Sequence, residues 1–270
     1  MSIKLVTIDI DGTLLNSERK VTNEVKEAIR KCTEQGVNIV IATGRPTIGV
    51  MDLIKELNLD NEHGFMITYN GALIQNAGTE KVLIEHGLSH DDYLDIELLA
   101  RKLNIHLHVQ DYNNMYTANK DISEYTIHES FLTGMPLTYR PVSDMTADTK
   151  IIKSMMIDHQ EKLDAAIKEI PESFTERFAM VKSMPFYLEV LNKQATKGIA
   201  VAELANFLNI SLDEVMAIGD NENDLSMIEV AGTGVAMGNA VPSVKEIADK
   251  ITKSNDEHGV AYALEQWVLN

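Results

Sequence analysis

Asp9 and Asp11 stand two residues apart at the end of a short apolar run, Ile3 to Ile10, and Gly12 and Thr13 follow at once. Carboxylates so placed can hold a hard divalent cation through oxygen and present one carboxylate to an electrophile while the other handles protons. A polar loop cap with Asp11 making a turn would use the same residues. Thr43-Gly44-Arg45 closes a second apolar run, Val37 to Ala42. A hydroxyl, a flexible backbone and a guanidinium suit phosphate recognition, and they equally suit a turn with a surface arginine. Gly219-Asp220-Asn221-Glu222-Asn223-Asp224 follows a third run, Val215 to Ile218. Its acids repel one another. A bound Mg2+ would relieve that repulsion, and an acidic helix start favoured by the helix dipole is the alternative. Lys197, beside Gly198, can neutralise a phosphate and a nucleophile or simply decorate the surface. Asn70-Gly71 either adds donors or makes a plain turn.

These residues need elements to bring them together. Ile3 to Ile10 reads as a buried parallel strand ending in a loop, because it is short, apolar and rich in β-branched residues. A helix from about Thr22 to Gln35, with a Thr cap, an early Glu24 and a closing Gly36, leads into Val37 to Ala42 and makes a βαβ unit. A helix around Thr47 to Leu57 and a strand Phe65 to Tyr69 follow. The C-terminal part repeats the style, with strands Val215 to Ile218 and Gly234 to Met237 around a helix from Asp224 to Ala231. Ser211 with Glu214 and Ser243 with Glu246 have the spacing of capping boxes and predict helix starts. Such alternation implies an α/β fold, a doubly wound parallel sheet, in which residues past neighbouring strand ends converge on one crevice.

The middle of the chain has another character. After a helix near Ser89 to Leu103, Ile105 to Gln110 alternates strictly, which predicts a sheet with one face outside a two-sided core. Further strands are expected at Met115 to Ala118, Ile151 to Ile157 and Tyr187 to Leu191, with helices near Ser123 to Thr133 and Glu161 to Glu169. The reading is an inserted α+β domain over residues 85–185, with residues 1–84 and 186–270 forming the core domain. His106 and His108 share a face of the alternating strand and are read as solvent-facing in preference to a metal pair.

Composition narrows the partners. The chain has 270 residues, 44% hydrophobic and 24% charged, near the globular average and without low-complexity tracts or repeats. Its formal net charge of −17 repels polyanions and leaves no basic stripe, which excludes nucleic acid as a partner. A small anion can still bind where metal, amides and a few cations concentrate at one point. The single cysteine, Cys32, falls on a helical stripe with Val25, Ala28 and Ile29 and reads as a core thiol. The first apolar run ends in acids, unlike a signal segment, and no stretch approaches the ~20 apolar residues of a membrane span. A cytoplasmic protein without a membrane partner is expected.

Taken in order, D-x-D-G-T, T-G-R, K-G and G-D-x-x-N-D are far more specific than any one of them. The sequence resembles the haloacid dehalogenase superfamily of phosphatases along its whole length, in the Cof-like subgroup with a C2B-type mixed α/β cap, nearest to YidA-type sugar phosphatases. The resemblance implies a Rossmann-like core, Mg2+ as cofactor and a small phosphorylated metabolite as substrate. It makes Asp9 the nucleophile and a metal ligand, and Asp11 the general acid and base, reaching the metal through its backbone carbonyl. Asp220 completes the ligands and Asp224 supports the metal shell. Thr43, Gly44, Lys197, Asn223 and the backbone of Ile10 hold the phosphate, with Arg45 at a matching position. Tyr116, Asn119, His128 and Glu129 are candidate cap contacts. A phosphomutase returning phosphate to sugar, or a phosphometabolite-binding protein without turnover, would carry the same motifs, although Asp11 argues against the latter. A transport ATPase is excluded by the lack of membrane spans and by Asp11 itself.

Overall fold

The computed structural model describes residues 2–269 and divides into two compact units. The first comprises Met1–Gly44, Met51–Ile84 and Thr196–Asn270; the second comprises Arg45–Val50 and Glu85–Ala195. Among the described residues no helix is long and apolar enough to cross a membrane.

The first unit is built on an eight-stranded sheet from β1 (Leu5–Ile8), β2 (Asn38–Ala42), β3 (Phe65–Thr68), β4 (Leu73–Asn76), β5 (Val82–Glu85), β12 (Val215–Gly219), β13 (Thr233–Ala236) and β14 (Lys250–Ile251). Its order is β14-β13-β12-β1-β2-β3-β4-β5. β14 through β3 run parallel and β4 turns back antiparallel to β3. The chain starts in the middle and winds outward to both sides, the doubly wound topology of open α/β sheets, which are buried on both faces and therefore read as continuous apolar runs. Every residue of β1, β3 and β12 is buried accordingly. Helix Asn23–Glu34 buries Val25, Ala28, Ile29 and Cys32. The core thiol is as expected, and burial pushes Cys32 up to about 11.

The turn after β3 contributes to the site. Tyr69, Asn70 and Gly71 have φ of 52°, 56° and 101°, three successive left-handed residues. A Cβ on Gly71 would lie 2.2 Å from the carbonyl oxygen of Thr196, the residue that caps helix Lys197–Phe207. Only glycine tolerates both that φ and that approach. Gly71→Ala is therefore expected to cost about 2 kcal/mol or more and to lower the melting temperature by several degrees, read by thermal denaturation.

The second unit has a six-stranded sheet of β6 (His106–Gln110), β7 (Met115–Thr117), β8 (Leu137–Tyr139), β9 (Lys153–Ile157), β10 (Phe178–Met184) and β11 (Tyr187–Asn192), in the order β10-β11-β9-β6-β7-β8. It is antiparallel except for β7 with β8. One face carries an apolar cluster with Ile96, Leu99, Leu107, Val109, Met156, Leu163 and Val190, packed by helices His90–Lys102 and Gln160–Lys168.

Three expectations change here. The junction at 185 falls inside the β10–β11 hairpin: Pro185 sits in its tight turn, and β11 pairs with both β9 and β10, so the second unit continues to Ala195. Ser243 starts no helix, because Pro242 occupies the first position of Pro242–Ile247 behind Val241; the Ser211 box forms, but on a single 3₁₀ turn, Leu212–Glu214. His108 is not solvent-facing: it is 1% exposed, and the half-buried His106 bonds through Nδ1 to Asp158 Oδ2 at 3.0 Å. Alternation placed the polar residues on one face correctly, but helix Glu124–Thr133 bonds to that face through Glu129.

Candidate functional site

Asp9 is the first residue past β1, and its amide still bonds to the Ile218 carbonyl of β12 at 3.1 Å. Its carboxylate is thereby held between two central strands, 6% exposed. Asp220 is the first residue past β12, and Thr13 Oγ1 donates to its Oδ1 at 2.7 Å. Gly12, between the two acidic loops, has φ +87°, and a Cβ there would lie 2.4 Å from Asp220 Oδ2. Glycine is what allows the two carboxylate loops to approach.

Lys197 is no surface residue. It opens its helix fully buried, donating to Asp9 Oδ1 at 2.5 Å and Asp224 Oδ1 at 2.6 Å. The other oxygen of Asp224 accepts the amides of Asp220 and Asn221 at 2.9 and 3.0 Å. Asp224 thus ties down the Asp220–Asn221 backbone and compensates the lysine. Carboxylate oxygens of Asp9, Asp220 and Asp224 lie within 4.8 Å of one another. The exposed Asp11 carboxylate is not part of this group.

On the other side of β1 the Thr43 amide bonds to Ile67 O at 2.9 Å and the Asn70 amide to Thr43 O at 2.9 Å, so the β2 and β3 ends are tied together. Asn70 Oδ1 accepts from Asn223 Nδ2 at 3.1 Å and lies 2.9 Å from where a Gly44 Cβ would stand. Thr43, Gly44, Asn70 and Asn223 therefore meet although the chain separates them widely. Ile10 is buried just past Asp9. Arg45 begins the segment Arg45–Val50 that groups with the second unit.

Two supports escaped sequence reasoning. Asn239 Nδ2 donates to Gly12 O at 2.8 Å, its Oδ1 accepts the Asn255 amide at 3.0 Å, and Asn255 Nδ2 donates to Leu15 O at 2.9 Å. Asn239 follows the end of β13, so the strand-end argument applied to Gly234 to Met237 was the available signal.

The four candidates in the second unit do not form one set. Tyr116 pairs in register with Val109, packs against the apolar cluster, lies under Arg140 at 3.9 Å and donates to Asp111 Oδ2 at 2.8 Å. Asn119 Oδ1 accepts the Leu107 amide at 2.8 Å, a structural tie between strands. Glu129 accepts from Gln110 Nε2 at 3.2 Å, from a side chain on the opposite face, and His128 lies edge-on to Phe186 with ring centroids 6.4 Å apart. Strand register, invisible to a positional argument, makes the division.

The electrostatics of the carboxylates favour a cation. Burial pushes Asp9 up to about 7; Lys197 pulls it down, and Asp224 and Asp220 push it further up. Asp220 is pushed up to about 6, first by burial, with the Thr13 hydroxyl opposing and Asp224 adding. Lys197, which burial alone would push down, is held above its ordinary value by Asp9 and Asp224. An all-oxygen, buried donor set whose acids resist ionising fits a hard divalent ion such as Mg2+, with Asp9 and Asp220 to hold it. The sign of the linkage follows. Both acids titrate above 3.8 in the fold, so the metal-free protein loses stability as pH rises from about 4 through 7. An ion on the ionised pair reverses that loss. The gain in melting temperature from excess Mg2+ over EDTA is therefore expected to grow from pH 5 to pH 8, and an equal gain at both would contradict this site.

Known proteins are similar to this chain over nearly its whole length. Residues 6–264 match the family described as haloacid dehalogenase-like hydrolase. The Bacillus subtilis protein YxeH is 48% identical over 266 residues, 98% of each chain. The 5-amino-6-(5-phospho-D-ribitylamino)uracil phosphatase YcsE of the same organism is 33% identical over 269 residues, covering 100% of this chain and 97% of its own. A solved haloacid dehalogenase-like hydrolase from Bacteroides thetaiotaomicron superposes with a TM-score of 0.86 at 33% identity, covering 98% of this chain and 99% of its own. With carboxylates at two central strand ends, a buried lysine between them and a family match over nearly the full length, the chain belongs to the haloacid dehalogenase-like hydrolases.

Proposed function

We propose that this protein is a Mg2+-dependent phosphatase of small, hydroxyl-rich phosphorylated metabolites, sugar phosphates foremost, of the YidA-type with a C2B-type cap, working in the cytoplasm. The observation that carries the reading is the buried Asp9 carboxylate, held 2.5 Å from Lys197 and grouped with Asp220. YcsE, whose name gives a ribityl phosphate monoester as its substrate, supports the substrate class.

In this reading an Asp9 oxygen attacks phosphorus in line, and the bond to the leaving oxygen breaks. Asp11 gives that oxygen its proton, so the alcohol leaves and an aspartyl-phosphate remains on Asp9. Asp11, now ionised, takes a proton from water as the water attacks phosphorus, which frees inorganic phosphate and restores both acids. Lys197, Thr43, Gly44, Asn223 and the backbone of Ile10 hold the phosphate oxygens, with Arg45 as a further candidate. Bound Mg2+ on Asp9, Asp220 and the Asp11 carbonyl, with Asp224 behind them, would offset the repulsion between phosphate and nucleophile. The inserted unit selects the leaving group.

The test is phosphate release across a panel of sugar, polyol and nucleotide monophosphates, with Mg2+ and with EDTA. Release from sugar or polyol phosphates that EDTA abolishes is expected. No release from any member, or release indifferent to chelation, would sink the proposal; a need for a sugar bisphosphate without net release would indicate a mutase.

A further inference from the structure

The turn that carries Asp11 is tied to the C-terminal part of the chain at Gly12, Leu15 and Ser17, all within the first unit. Inside the turn, the amides of Thr13 and Leu15 bond back to Ile10 O at 3.4 and 3.0 Å, and that of Leu14 to Asp9 O at 3.2 Å. Those bonds fold residues 9–15 onto themselves and leave the orientation of the turn to the ties that reach out of it. Asn239 Nδ2 donates to Gly12 O at 2.8 Å, and Asn255 Nδ2 donates to Leu15 O at 2.9 Å. The two asparagines are joined, since Asn239 Oδ1 accepts the Asn255 amide at 3.0 Å. Next to Asn255, Asp256 accepts from the Ser17 amide at 2.8 Å and from the Ser17 hydroxyl at 2.7 Å.

Gly12 explains why such ties matter. Its φ of +87° and the 2.4 Å that would separate a Cβ from Asp220 Oδ2 demand glycine. Glycine is also the residue with the widest backbone freedom, and it stands directly after Asp11. A loose joint beside an acid that must meet a leaving oxygen is a defect unless something restrains it. The bond from Asn239 restrains it at the carbonyl of the joint itself. Asn239 is exposed and Asn255 half-buried, so their bonds trade with water and add little to stability. A support that weighs little in folding yet fixes one joint beside a reactive group serves geometry. Reacting groups must be held to a fraction of an ångström, and a misplacement of about 1 Å can cost about 10²-fold in rate.

We propose that Asn239 and Asn255 are positioning residues for Asp11, fixing the Gly12 and Leu15 carbonyls so that the Asp11 carboxyl stays within reach of the leaving oxygen. The inference rests on the phosphatase reading, in which Asp11 gives its proton to that oxygen as the bond to phosphorus breaks; the clamp on the turn does not. Both asparagines act through the backbone of the turn. Lys197, Thr43, Gly44 and Asn223, which hold the phosphate in that reading, come from other elements. Loss of the clamp therefore falls on proton transfer more than on affinity for the phosphoryl group.

The test is Asn239→Ala and, separately, Asn255→Ala in the full chain, each assayed with phenyl phosphate and p-nitrophenyl phosphate. The two leaving groups are close in shape, but p-nitrophenolate is stable as an anion and departs without a proton, whereas phenolate gains from one. The ratio of kcat/KM, phenyl to p-nitrophenyl, is expected to fall at least about fivefold in each variant, part of the roughly 10²- to 10⁴-fold that a general acid supplies. A support of structure alone would lower both esters together or neither, so an unchanged ratio overturns the proposal. Hydrogen–deuterium exchange of the peptide covering residues 9–17 gives a second reading that needs no turnover. Exchange there is expected to rise severalfold in Asn239→Ala while the melting temperature stays within about 2 °C of the parent. Unchanged exchange, or a rise spread evenly over the chain, overturns the clamp. Failure of the phosphatase reading would show separately, as no hydrolysis of either ester by the unsubstituted protein, with the exchange result unaffected.

Discussion

Asp9→Asn is expected to reduce phosphate release by at least about 10⁴-fold, because the amide that replaces the carboxylate cannot form the phosphoenzyme, and removal of a covalent nucleophile costs enzymes on that order or more. The substitution keeps the volume and an oxygen able to accept from Lys197, whose bond to Asp9 Oδ1 is 2.5 Å. It also removes one of three crowded acids. Burial holds Asp9 near 7, so at pH 8 the metal-free fold bears the cost of its charge. The variant should therefore melt no lower than the parent in EDTA at pH 8, while gaining less from Mg2+. Kinetics and melting curves together make the test sharp. A folded variant retaining more than about 1% of parental release would show that Asp9 does not carry the phosphoryl group.

What the sequence disclosed, and what it hid, follows from how each feature is encoded. Asp9, Thr43 and Asp220 were legible because a parallel strand buried on both faces writes a short apolar run, and the residues just after it fall at one edge of the sheet. Local neighbours alone decide that pattern. Lys197 in isolation looked like a surface residue; its burial depends on Asp9 and Asp224, which lie far away in sequence. Asn239 and Asn255 were missed because each works through a single bond to a backbone carbonyl, Gly12 or Leu15, which leaves no trace in local composition. In the second unit, alternation gave the faces of β6 but not what covers them. His108 was read as wet because a polar alternating face usually is. Tyr116 and Glu129 were grouped by position, whereas pairing register sets them on opposite sides. The junction shifts for the same reason: Pro185 lies in the turn of a hairpin, and only the pairing of β11 with β9 and β10 carries the second unit on to Ala195.

Lys197→Met should show how the charge balance holds the first unit together. The Lys197 side chain is wholly buried, with Asp9 Oδ1 at 2.5 Å and Asp224 Oδ1 at 2.6 Å. Methionine fills the space but leaves two buried carboxylates uncompensated, and breaking a buried ion pair from one side costs about 3–5 kcal/mol. For a chain of this size that is a fall of about 10 °C in melting temperature at pH 8 without metal. The deficit has a definite pH dependence. Asp9 already titrates near 7 with the lysine present, so without it the acid holds its proton to higher pH, and acidifying to pH 5 removes much of the repulsion. The difference between variant and parent should therefore shrink on going from pH 8 to pH 5. Adding Asp224→Asn should recover part of the loss, since one uncompensated charge disappears, yet should not recover phosphate release, because the cation facing the phosphoryl oxygens is still missing. Lys197→Arg is no substitute: a planar, larger guanidinium cannot occupy a fully buried site shaped around an ammonium held between two single oxygens. A melting temperature within about 2 °C of the parent at pH 8, with no dependence on pH, would mean that the three carboxylates need no internal cation.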